Sequence, residues 1–331
     1  MKRRLALTLA VALLALVPLA ALTAEAAERK ALVAQTYYPP SMALGFDAFL
    51  KNVAARLPDR DIRAFHGNAI VSSPQLLDGL SSGVISIGQI ITHMYGQIPG
   101  GKLFAALPSV TESVEDADRL FDVYGYREFI AEALAAQGLV YLGPTWSAPY
   151  HLLTRKPVNS LKDLQGLRIR AIGLVADVLV KLGVTCVNIP PESLSMALTS
   201  GDIDGVIFGS AHDYKQAMLY EAAPWYNVTP LAIPVIDSLV VSRKAWDALD
   251  ESERSVLREE AAKVRRLWYD QVQAQEAALR DSIFKNRLCA FSDADREQFR
   301  QTAAIVLREE ALRYPAGQKG VDMLMRFMQE R

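Results

Sequence analysis

Residues 160–170 read Ser160-Leu161-Lys162-Asp163-Leu164-Gln165-Gly166-Leu167-Arg168-Ile169-Arg170, and they open a β-α-β-α-β unit that runs to Gly209. Ser160 and Asp163 form a capping box, a hydroxyl at the N-cap with a carboxylate three residues on. The short helix stops at Gly166, a residue suited to the left-handed position after a helix end. Leu167 to Arg170 is then a strand, with both arginines on the face opposite Leu167 and Ile169. An apolar helix from Leu174 to Leu182 follows, then a strand from Thr185 to Ile189 and a helix from Glu192 to Ser200. Gly201-Asp202-Ile203-Asp204-Gly205 leads into a last strand, Val206-Ile207-Phe208. In open α/β sheets, ligands bind beyond the carboxyl ends of the strands. Arg170 and Phe208 both fall at such ends, which makes them candidate binding residues.

The rest of the chain extends the same alternation. Strands are predicted over Ala31 to Gln35, Asp61 to Phe65 and Val84 to Ile91, with helices from Ser41 to Leu57 and from Ser73 to Leu80. Strands alternating with helices mean a mainly parallel sheet. Ser113 and Asp116 are a second capping pair, opening a helix expected to end at Gly138. A strand begins at Leu139, and Gly143-Pro144 and Pro149 break regularity where the chain is expected to pass into a second lobe. From Val235 to Tyr314 there is neither glycine nor proline. Asp250 to Glu253 caps a helical pattern that continues to about Asn286, long enough at 1.5 Å per residue to cross more than one lobe. Ser292 to Asp295 caps a further helix ending before Pro315.

Composition removes several function classes. Lys and Arg number 36 against 37 Asp and Glu, and no basic run follows the N-terminus, so nucleic acid is not an expected partner. The first residues read as a secretory signal: basic Lys2-Arg3-Arg4, an apolar run from Leu5 to Leu22, and a small-residue cleavage site at Ala24-Glu25-Ala26. The mature protein is expected to begin near Ala27 or Glu28 and to work in the periplasm. Cys186 and Cys289 are permitted a disulfide there, but Cys186 lies in an apolar strand pattern typical of a buried thiol.

Enzyme signals are weak. Gly79-Leu80-Ser81-Ser82-Gly83 matches a nucleophile pattern, but a helix precedes it and a strand follows, the reverse of what that motif needs. His66, His93, His151 and His212 share no metal-ligand spacing, so no metal and no cofactor is expected. Asp202 and Asp204 flank a turn, where aspartate bonds its own backbone.

The run from Asn159 to Arg170, with Asp204-Gly205 some 34 positions later, resembles the DctP-type solute-binding proteins of tripartite ATP-independent periplasmic (TRAP) transporters. The resemblance implies a two-lobe periplasmic-binding-protein-like α/β fold, with mainly parallel sheets, hinge strands and a long helix spanning both lobes. It implies no catalysis. Its partners would be a small organic acid and inner-membrane TRAP permease subunits, with the binding protein itself a monomer. In the family the second arginine of the motif clamps the ligand's carboxylate, and that position is Arg170. Tyr150 stands where several members carry another arginine, and Phe208 where the family has an asparagine. With Trp146, Tyr37, Tyr38, His66 and Thr92, these residues make up the expected pocket. Aromatics in place of polar groups predict a monocarboxylate with an apolar or aromatic body; a C4-dicarboxylate or a 2-oxo acid is the alternative. The rival functions are a secreted hydrolase around Ser81 or His66 and a ligand-sensing module for a receptor. The expected layout is a signal peptide over 1–26, lobe I over 27–145, lobe II over 146–212, return strands over 213–250, and the inter-lobe and C-terminal helices over 251–331.

Overall fold

The fold hangs on one strand of 18 residues. In the computed structural model, which describes residues 31–331, the strands are β1 (Leu32–Thr36), β2 (Ile62–His66), β3 (Ile87–Ile90) and β4 (Ala106–Pro108). They continue with β5 (Leu139–Ser147), β6 (Tyr150–Thr154), β7 (Arg168–Arg170) and β8 (Thr185–Val187). The last are β9 (Gly205–Ile207), β10 (Trp225–Ser242) and β11 (Leu288–Cys289). They form one continuous sheet in the order β2-β1-β3-β10-β6-β9-β7-β8, with β4, β5 and β11 also bonded to β10. The C-terminal half of β10 pairs with β3 and β5, and its N-terminal end pairs with β6 and β11. Each wing is parallel where helices cross between strands, β2-β1-β3 on one side and β9-β7-β8 on the other. The joints to β10 through β3, β4, β5 and β6 are antiparallel.

Both halves of the Ser160 capping box form, over a single turn of 3-10 helix (Leu161–Leu164). Three expectations need correction. The helix opened at Ser113 is two helices, Val114–Val123 and Tyr126–Ala135, because Gly125 sits at φ +76° between them. β5 does not stop at Gly143-Pro144. A bulge there, with Gly143 at φ +149°, lets the strand continue to Ser147 against β10. The long helix after Asp250 is also two, Glu251–Val264 and Leu267–Ile283. At the break the Trp146 amide of β5 donates to the Arg265 carbonyl (2.7 Å), taking it out of the helical ladder. Arg265 and Arg266 turn to Asp118, Asp122 and Glu115 of the facing helix.

The helix pair still reaches both wings. Leu257, Ala261 and Val264 pack with Phe46, Phe49 and Trp246, whereas Leu279 packs with Leu198, Tyr214 and Tyr226. A larger apolar cluster runs between them, from Leu76 and Leu80 through Tyr126 and Trp146 to Leu174, Val178 and Leu307. Cys186 and Cys289 are both free thiols. The expected signal peptide lies outside the described residues. No helix among them is long and apolar enough to cross a membrane.

Candidate functional site

Arg170 ends β7 beside β9, in register with Val206, so its side chain rises where the parallel strands finish. It is 4% exposed. Nε donates to the Ile189 carbonyl and Nη1 to the Ile207 carbonyl, both at 3.1 Å. The guanidinium carbon stands 5.8 Å from the centre of the Phe208 ring. Among the described residues no carboxylate pairs with it. Backbone carbonyls carry only partial charge, so the cation is oriented but not neutralised, and burial pulls its pKa below the usual arginine value. Arg168 shows the contrast: half-exposed, it pairs with Asp204 at 3.4 Å.

Tyr150 and His93 lie within electrostatic reach of Arg170, and Tyr150 also within reach of Asp237 on β10. Tyr150 opens β6 and is 6% exposed. His93, in the turn after β3, lies against the start of the helix Gly173–Lys181: a Cβ on Gly173 would come within 2.8 Å of its Nδ1. Both ring nitrogens of His93 are buried without a partner. Burial first, then Arg170 and Lys102, lower its pKa to about 3, so the ring is neutral and offers one N–H. Asp237 receives the Tyr37 hydroxyl at 2.8 Å and the Gln89 amide at 3.2 Å. Tyr37 in turn packs against Tyr38, the ring centres 4.1 Å apart and the planes tilted by 33°.

The other sequence candidates lie elsewhere. Trp146 is 1% exposed, its Nε1 donates to Asp118 at 2.9 Å, and Arg265 lies 4.8 Å over its ring. His66 is bound to Asp47 at 2.7 Å on the edge strand β2. Thr92 is fully buried and donates to the Gly101 carbonyl at 2.8 Å. Ser81 donates to the Gln137 carbonyl at 2.8 Å, and Asp202 accepts from the Ser200 hydroxyl at 2.6 Å. Sequence reading missed Asp237, Gln89 and His93 as site residues. Asp237 had a signal, being the one acid in the apolar run from Val235 to Val241. His93 and Gln89 had none, because only the fold brings them to β7 and β10.

Comparison with known proteins gives a consistent picture. The DctP family model, described as bacterial extracellular solute-binding protein, family 7, matches residues 43–313. A solute-binding protein of Chromohalobacter salexigens is 27% identical over 259 residues, covering 75% of this chain and 76% of that protein. A monocarboxylate 2-oxoacid-binding periplasmic protein of Nostoc sp. PCC 7120 is 25% identical over 231 residues, covering 67% of this chain and 63% of its own. Among solved structures, a TRAP periplasmic solute-binding protein of Chromohalobacter salexigens with bound (S)-(+)-2-amino-1-propanol superimposes with a TM-score of 0.83. The two are 22% identical, and the match covers 91% of this chain and 96% of that one.

Proposed function

Because the chain belongs to the DctP family of bacterial extracellular solute-binding proteins, we infer that this TRAP-type binding subunit captures a monocarboxylate with an apolar or aromatic body. Arg170 carries the reading. It is a buried guanidinium, held in place by two carbonyls, with no acid of the described residues to neutralise it. Such a group can take a carboxylate through two parallel hydrogen bonds, which fixes orientation as well as charge. The neutral His93 ring can donate to the same anion. Tyr150 and Phe208 favour one carboxylate over two, since neither offers a second cation. The name of the Nostoc relative, a binder of monocarboxylate 2-oxoacids, agrees with a single carboxylate.

Capture would proceed by closure of the wings over the ligand about β10, which sheds water and strengthens the Arg170 pair. Delivery to the inner-membrane permease would follow from the periplasm. Thermal-shift screening of an organic-acid library tests the ligand class. The expected response is to monocarboxylates with an apolar or aromatic body. A strong shift with succinate or sialic acid, and none with monocarboxylates, would overturn it.

A further inference from the structure

Asp237 is a buried acid lacking what buried acids need. It is 1% exposed, and no lysine, arginine or histidine pairs with it among the described residues. Its hydrogen bonds come from the neutral groups of Tyr37 and Gln89. Asp213, 2% exposed, lies within electrostatic reach and adds negative potential, its own carboxylate taking the Ser210 amide at 2.8 Å. Burial chiefly, and Asp213 in addition, push the Asp237 carboxyl up to about 7 against the opposing pull of Tyr37, Tyr38 and Gln89.

The other end of the site has the complementary defect. Arg170 is a buried cation with no acid paired to it among the described residues, and Tyr150 lies within electrostatic reach of both Arg170 and Asp237. Uncompensated buried charge is costly, and a ligand with an anionic and a cationic pole would compensate the cation and the acid together. Tyr37 bonds the acid, Tyr38 packs on Tyr37 and Tyr150 lies within electrostatic reach of it, and tyrosine rings attract ammonium groups.

We propose that Asp237, with Tyr37, Tyr38 and Tyr150, forms an ammonium subsite, so that the ligand is an amino acid zwitterion whose carboxylate lies on Arg170. The proposal rests on the Arg170 reading above and adds a second, opposite pole to it.

Calorimetry with matched pairs tests it: 4-(aminomethyl)benzoate against 4-methylbenzoate, 6-aminohexanoate against hexanoate, and phenylalanine against 3-phenylpropanoate. At least one amine is expected to bind ten times or more tighter than its deaminated partner. Asp237→Asn should cancel that preference. Deaminated partners that bind as well as the amines throughout would overturn the subsite, as would failure of every amine to bind. The preference on wild-type protein decides even if the variant folds poorly. Failure of the Arg170 reading looks different: Arg170→Ala would then leave the binding of the deaminated acids intact.

Discussion

If the ligand's carboxylate lies on Arg170 as proposed, removing the guanidinium leaves that carboxylate without its counter-charge at the end of β7. Loss of one partner of a buried charge pair costs about 2–5 kcal/mol, so Arg170→Ala should weaken binding by roughly thirtyfold to a few thousandfold. Arg170→Lys should restore part of this, because an ammonium cannot reproduce the two-pronged geometry. Arg168→Ala should change affinity little, since that side chain already pairs with Asp204 in contact with solvent. Calorimetry with the best monocarboxylate of the screen reads all three; wild-type affinity in Arg170→Ala would place the site elsewhere. Asp237 gives a prediction for the unliganded protein. Its carboxyl holds a proton more tightly in the fold, up to about 7, than in the unfolded chain, where aspartate titrates near ~3.9. Below that lower value both states are protonated and the residue leaves stability unchanged. As pH rises from there to about 7 the unfolded chain sheds its proton first, so stability falls by an amount on the order of 4 kcal/mol. The melting-temperature advantage of Asp237→Asn over wild type should therefore be larger at pH 8 than at pH 5, and an equal difference at both would contradict it. At this scale the sequence was partly legible. Arg170 stood out because a capped turn and a strand end fix its place locally. Asp237 and His93 acquire meaning only from neighbours many residues away in the chain.

Among the elements, β9 is the piece whose fit sets the site. It lies between β6 and β7, and Gly205 is paired with Thr154 on one side and Ile169 on the other. A Cβ there would stand 2.7 Å from the Leu153 carbonyl and 2.9 Å from Ile169 Cδ1. Gly205→Ala must push β6 from β7, at a cost of about 1–3 kcal/mol for overpacking. Because β7 carries Arg170 and β6 carries Tyr150, ligand affinity should drop as well. An unchanged melting temperature would show that the strands have slack. The existence and type of most elements could be read from periodicity and caps, and the β9-β7-β8 unit followed its sequence closely. What could not be read were interruptions imposed from outside an element. Nothing in the run Val264-Arg265-Arg266-Leu267 announces that the Trp146 amide will claim a helical carbonyl. Likewise the bulge at Gly143 depends on β10, whose pairing carries Pro144 through a strand that local rules would end.

At the scale of the whole molecule, the two wings are joined through β10 rather than through a flexible tether. Alternating strands and helices foretold the α/β class, but the crossing of one strand through both wings is a long-range pairing that no local pattern encodes. Ile87 to Ile90 and Leu152 to Thr154 are partners of the same strand, and a continuous apolar cluster lies beneath it. Two lobes on a loose linker melt separately, each on its own schedule. Here neither wing can lose its sheet without stripping hydrogen bonds from the strand that the other requires. Scanning calorimetry of the unliganded protein should accordingly give one endotherm, with a van't Hoff enthalpy matching the calorimetric one. Two resolved peaks would mean that β10 tears in the middle. The same sharing makes the ligand's reward indivisible: a molecule held at Arg170 in one wing raises the melting point of the other wing by the same amount.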